Sequence, residues 1–267
     1  MATITGNDRK TRHQYSMVLT VVLELFFVVG GYLCYKAVRL RVAGEAQSAF
    51  DNGWTVLRAE RSLGLSFERS LQSAIAPVPE LAQFFNIYYI AMYLPFIIVT
   101  AVYLFVWHRE RYVHARRAFL LSGAIGLVVF ATFPVAPPRL LPSSGFTDTL
   151  RLYLPEMAYT PNSVANQFAA VPSFHFGWCS LAAHCLAQTT ASLRVRLGLY
   201  AIPLLMLVTI IVTGNHYWFD ALVALLIVML ASRLAPYADH IRGVVPNQIS
   251  IQRGGISGSG DAGTHRA

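Results

Sequence analysis

FFNIYYIAMYLPFIIVTAVYLFVW, residues 84–107, contains no Asp, Glu, Lys or Arg. About 20 mostly apolar residues are what a helix needs to cross a bilayer core. A helix also pairs its own backbone polar groups, which hydrocarbon cannot do for it. Working outward, five further runs have this character: MVLTVVLELFFVVGGYLCY at 17–35, AFLLSGAIGLVVFATFPVA at 118–136, and those at 169–188, 197–213 and 217–235. The expected fold is therefore all-α, a polytopic membrane protein with six transmembrane helices in a bundle and both termini on one side. A signal peptide is a poorer reading of the first run. The run is long for such a segment, and no small-x-small cleavage site precedes Lys36.

The whole composition agrees. Of 267 residues, 55% are apolar and only 13% charged, against about 25% charged in a soluble domain. A soluble globular domain, a disordered chain and a collagen-like chain are excluded. Three cysteines, Cys34, Cys179 and Cys185, cannot build a disulfide scaffold. The net charge of +8 would suggest nucleic acid in a soluble protein. Here it reports basic loops facing anionic lipid, and no nucleic-acid partner is expected.

Charge also orients the chain. With the N-terminus inside, thirteen of the 21 Lys and Arg fall on inner segments, among them Arg9, Lys10, Arg12, Arg109, Arg111, Arg116, Arg117, Arg194 and Arg196. Six of the eight outer ones lie in one long loop, where they count less. The expected organisation is a cytoplasmic N-terminus at 1–16, a six-span domain at 17–242 with outer loops at 36–83 and 137–168, and a disordered cytoplasmic tail at 243–267. The expected location is the plasma membrane. Within the first outer loop, Val56, Leu57, Leu63, Phe67 and Leu71 recur at helical spacing, which predicts one or two amphipathic helices lying at the interface.

Polar groups at membrane depth are costly and point to function. Three clusters fall on the same outer face: APPRLLP at 136–142, VPSFHFGW at 171–178 and GNHYWFD at 214–220. Pro172 suits the first position of a helix, which leaves the amides of Ser173, Phe174 and His175 free to hold an anion such as phosphate. His175 then sits where it can give a proton to a leaving group. Asn215 is a good N-cap for a helix running through Tyr217. His216 and Asp220 are four apart and share a face, and a carboxylate on one ring nitrogen makes the other a better nucleophile. Arg139 brings a planar fork suited to phosphate. Together, two helix starts, two His, one Asp and one Arg describe a site for a phosphate ester. No metal-ligand set accompanies it: His175 and Cys179 lack further ligands at sensible spacing, and no cofactor motif is present. The rival reading is a membrane transporter or non-catalytic membrane protein with a His–Asp proton relay. It lacks the paired broken helices of such folds.

These motifs resemble the second and third motifs of the type 2 phosphatidic acid phosphatase superfamily, whose members are six-span, metal-independent membrane enzymes. APPRLL, GFTDT at 145–149, AAVPSFHFGW, VTGNHYWFD and ERSLGLSFERSLQ at 60–72 look closest to the branch of fungal inositol phosphorylceramide synthase and its bacterial relatives. The resemblance spans roughly residues 55–235. It implies an inositolphosphotransferase-like enzyme of lipid metabolism, a lipid-linked phosphate as substrate, and transfer to water or to an alcohol such as inositol or a lipid hydroxyl. It implies that His216 takes the phosphoryl group as phosphohistidine, Asp220 orients it, His175 is the general acid and Arg139 binds phosphate. Asp148 matches the GF-DT pattern and, with Asn215 and Tyr217, is expected to support the site. The wider superfamily has a Lys where this chain has Thr132 and an Arg where it has Ile210. Two phosphate-binding cations are thus missing, as in the synthase-like branch. Glu24, inside the first run, is expected to pair with a neighbour. His184 is expected to lie too deep to meet substrate.

Overall fold

The structure is a computed structural model and describes residues 6–42, 44–155 and 167–237. The chain divides into a unit of residues 1–236 and a second of 237–267, of which only residue 237 is described. The expected disordered tail lies outside the described residues. Nine helices carry the described part: α1 (Gly6–Val42), α2 (Ala46–Ser62), α3 (Glu68–Ile75), α4 (Pro79–Trp107), α5 (Arg109–Thr132), α6 (Thr149–Tyr153), α7 (Phe174–Ala187), α8 (Leu193–Val212) and α9 (Trp218–Leu234). Among the described residues the extended backbone makes one isolated parallel bridge, Val135 with Ala169.

Among the described residues four helices are long and apolar enough to cross a membrane: α4, α5, α8, and α9 continued to Tyr237. Six spans were expected, and two differ. α1 contains the first run but is helical already from Gly6 and continues to Val42, so the loop expected from residue 36 begins later than the sequence suggests. The run at 169–188 yields only the 14-residue α7, shorter than the ~20 residues of a full crossing. Its first residues are extended because Val171 precedes a proline, which disfavours helix, and Ala170 N–H is spent on the Val135 carbonyl at 3.2 Å. α5 likewise ends at Thr132 rather than at 136.

α7 is the central helix, packed by α4, α5, α8 and α9. Small residues let it sit there: Gly177, Cys179, Ala182, Ala183 and Ala187 are buried, and a Cβ on Gly177 would lie 3.0 Å from that of Ala224. Close backbone approach of this kind drives helix association in lipid. The start of α7 is keyed into α5, since a Cβ on Gly126 would fall 2.1 Å from the Phe174 ring. Below it, Cys179, Met206, Ile210 and Ala221 form the middle core, and Leu104, Ala118, Cys185 and Val228 the far one.

α1 is tied to α5 by the ion pair of Glu24 with Arg116, whose guanidinium also lies over Phe27 at 5.7 Å. Burying one charge without the other would be costly, so Glu24 has the neighbour expected of it. His184 lies at the end of α7 away from His175, bonded to Tyr200 at 3.1 Å and Gln188 at 2.7 Å.

α2 and α3 turn polar residues inward. Val56 and Leu57 are buried, Leu63, Phe67 and Leu71 are exposed at 72%, 42% and 42%, and Glu60, Glu68 and Gln72 are buried. The carboxylates and the amide turn inward because their partners are there.

Candidate active site

The three polar clusters meet at one end of the bundle. Arg139 N–H donates to the Gly214 carbonyl at 3.0 Å, and Ser173 N–H to that of Asp220 at 3.2 Å. The Tyr217 hydroxyl donates to Ala136 at 2.7 Å. Gly214 has a φ of +65° in the turn between α8 and α9, and a Cβ there would lie 2.8 Å from Gln72 Nε2. Glycine is therefore required on both conformational and steric grounds.

His216 lies in that turn, not on a helix face. Its Nδ1 is 2.8 Å from the Ala170 carbonyl and 3.2 Å from Asp220 Oδ2, and its Nε2 is 3.5 Å from the Tyr89 hydroxyl. A carbonyl can only accept, so Nδ1 carries the hydrogen and Nε2 keeps a lone pair. Ala170, a backbone group invisible to motif reading, is thus the nearer orienting partner, and Asp220 the second. His216 and Asp220 are buried, at 4% and 0% exposure. Burial, assisted by the Arg139 charge and opposed by the Ala170 bond, lowers the His216 pKa from 6.5 to about 4, so the ring is neutral at ordinary pH.

His175 is in the first turn of α7. Its ring stacks on Tyr89, centroids 4.0 Å apart at 18°, and lies against Tyr93 at 4.3 Å. It faces His216 across 6.1 Å between centroids. Tyr89 also places its hydroxyl 3.5 Å from His216 Nε2. Tyr89 and Tyr93 were not singled out from the sequence. Their four-residue spacing within an otherwise apolar span was the available signal.

Arg139 is held by two groups. Its Nε donates to Asn215 Oδ1 and its Nη1 to Asp148 Oδ2, both at 2.8 Å. Asp148 therefore has a place in the site: it pairs with Arg139 and caps α6 through Arg151 N–H at 3.0 Å. Asn215 is not a helix cap as expected; its amide donates to Thr213 at 2.8 Å. Gln72 clamps the intervening loop in both directions, to Thr147 carbonyl at 2.9 Å and from Thr147 N–H at 2.8 Å.

The two helix starts differ. Ser173 is at the N-cap position of α7, which begins at Phe174 and not at Pro172, and its hydroxyl makes no capping hydrogen bond. The Ser173 amide is engaged with Asp220, and the first rung of the helix is Gly177 N–H to Ser173 carbonyl. The amides of Phe174, His175 and Phe176 precede that ladder and have no acceptor within the helix. The start of α9 is closed instead. Tyr217 N–H donates to Asp220 at 2.9 Å, Trp218 N–H to Glu68 at 3.5 Å, and Phe219 N–H to Glu60 at 2.8 Å. Three carboxylates suit the positive end of a helix, but they leave that end unavailable to phosphate. Burial and a hydrogen bond with Glu68 raise the Glu60 pKa, so this pair favours holding a proton.

Thr132 is exposed and bonds to Val128 of its own helix at 2.8 Å. Ile210 is in the apolar core. Neither offers a donor to the site. Among the described residues no three His, Cys, Asp or Glu gather as a metal site.

A match to the PAP2 superfamily covers residues 54–234. The chain belongs to the PAP2 superfamily. The match begins in α2 and ends with α9, so this PAP2 unit includes the inward-facing carboxylates as well as both histidines. Membership makes it a phosphatase-type enzyme of phosphate-bearing lipids, a phosphatase or phosphotransferase, and its four apolar helices make it a membrane protein. Comparison with curated proteins and with solved structures found no match.

Proposed function

We propose that this PAP2 protein is a lipid-phosphate phosphotransferase or phosphatase working through a phosphohistidine at His216. The observation that carries the reading is the pinned His216 ring: Nδ1 spends its hydrogen on Ala170 and Asp220, which leaves Nε2 its lone pair. Nε2 attacks phosphorus as the ester P–O bond breaks, and His175 gives its proton to the departing lipid alkoxide. The substrate's negative charge favours protonated His175. Attack begins at about 3–3.5 Å, and an acid acts from about 2.6–3.2 Å. The two ring centroids lie 6.1 Å apart, so both histidines border the same site. Arg139 Nη2 and the free amides of α7 hold the phosphoryl oxygens. Water, or an alcohol such as inositol or a lipid hydroxyl, then takes the phosphoryl group and regenerates His216. The inositolphosphotransferase-like motifs favour the alcohol.

The test is transfer of labelled phosphate from candidate lipids to the purified protein, followed by release with and without alcohols. Label should enter the protein in EDTA, and vanadate should block it. Faster release into a phosphorylated alcohol identifies a transferase; release only as inorganic phosphate identifies a phosphatase. Label that enters only after a divalent ion is restored would sink this mechanism.

We place this site on the outer membrane face, because Arg109, Arg111, Arg194 and Arg196 gather at the opposite helix ends. An impermeant thiol reagent should label Ser143→Cys from outside and Tyr112→Cys only from inside. The reverse pattern would invert the sidedness.

A further inference from the structure

We infer that Tyr89 is a third catalytic residue, whose hydroxyl donates to the phosphoryl group in transfer. This rests on the phosphohistidine reading above. Tyr89 lies beside both histidines: its ring stacks on His175 at 4.0 Å and is 6.3 Å from that of His216, and its hydroxyl is 3.5 Å from His216 Nε2. Because Nδ1 of His216 carries the hydrogen, Nε2 is an acceptor, and the phenol O–H is directed at the lone pair that attacks phosphorus. Phosphorus cannot reach that lone pair while the O–H occupies it. As the N–P bond forms, the donor passes to the nearest oxygen of the arriving group. Negative charge grows on those oxygens as the ester bond breaks, and a fixed donor there is worth most in the transition state. No proton leaves Tyr89; only its hydrogen-bond acceptor changes.

The position of Tyr89 is built, not incidental. Asn86, one turn before it on α4, is buried and donates to Thr149 Oγ1 at 3.0 Å. Thr149 opens α6, whose cap is Asp148, the partner of Arg139. One short chain of contacts therefore sets the Tyr89 hydroxyl and the Arg139 guanidinium in register around His216. The hydroxyl is needed here, because Thr132 and Ile210 provide no donor and Arg139 has Nε and Nη1 engaged.

The test is Tyr89→Phe, which keeps the ring on His175 and removes one oxygen. Turnover should fall about 10²–10³-fold, as for loss of one oxyanion donor, with vanadate inhibition weakened and thermal unfolding in detergent unchanged. The loss should be equal on a lipid substrate and on a nitrophenyl phosphate, since the donor acts on phosphoryl oxygens and not on the leaving group. Tyr88→Phe, whose hydroxyl bonds the Ile202 carbonyl at 3.1 Å, away from both histidines, should stay near wild type. A Tyr89→Phe enzyme of wild-type rate would overturn the assignment. So would a loss confined to the lipid, which would mean that Tyr89 acts only by seating His175. If Tyr89→Phe unfolds, undiminished vanadate binding by its folded fraction in lipid vesicles also overturns it, and weakened binding supports it. Turnover surviving His216→Ala would instead remove the phosphohistidine reading itself, whatever Tyr89 does.

Discussion

His216→Ala should lose both the labelled phosphoenzyme and turnover, by about 10⁴-fold or more, as when other enzymes lose a nucleophile. The His216 ring has its Nδ1 hydrogen held by a carbonyl and a carboxylate, which leaves the Nε2 lone pair for attack. Asp220→Asn should be milder, because the Ala170 carbonyl still holds Nδ1–H at 2.8 Å. It should slow phosphoenzyme formation without abolishing it. The wild-type pH profile adds a separate check. Burial lowers the His216 pKa to about 4, so neutral, nucleophilic imidazole persists down to that pH. The acid limb of phosphoenzyme formation should therefore fall near 4 and not near 6.5. Label trapped on the His216→Ala protein would show that the nucleophile lies elsewhere.

His175→Ala should separate substrates. A lipid alkoxide is a poor leaving group and needs its proton, whereas nitrophenolate leaves unaided. General acid catalysis contributes about 10²–10⁴-fold, so turnover of the lipid should fall by that factor and that of nitrophenyl phosphate far less. The phosphoenzyme should still form from the activated ester. The ring also fills the space between Tyr89 and Tyr93, so His175→Gln serves as a bulkier companion with the same expected split. Equal loss on both substrates, with label still trapped in His216→Ala, would mean that the two histidines have exchanged roles.

Some of the site was legible because it is local in sequence. His216 and Asp220 are four residues apart, and Ser173, Phe174 and His175 are consecutive, so their neighbourhood followed from spacing alone. Asp148 was recognisable only as part of a pattern, and its pairing with Arg139 gives that pattern a physical role. The Ala170 carbonyl was illegible, since a backbone acceptor 46 residues from its donor leaves no mark in residue types. The expectation of two phosphate-binding helix starts failed for a related reason. Helix starts are readable locally, but whether a start is open depends on what arrives from elsewhere, and Glu60 and Glu68 arrive at α9 from 159 and 150 residues away.

By itself the sequence determined an all-helical chain with apolar helices, because backbone in hydrocarbon must pair within its own segment. It also determined that its costly polar groups would collect at one end. Which way the helix faces turn was decided only by the tertiary structure. In water, Leu63, Phe67 and Leu71, in and beside α2 and α3, would mark a buried side. In a membrane protein the surrounding lipid is as apolar as the core, so burial gives those side chains no preference, and the polar residues choose the side. Glu60, Glu68 and Gln72 turn inward because the amides of α9 and the Thr147 loop are the partners within reach. Tyr89 reaches His216 with its ring stacked on His175, 86 residues away along the chain. Such choices depend on contacts far apart along the chain, and hydrophobic periodicity carries no record of them.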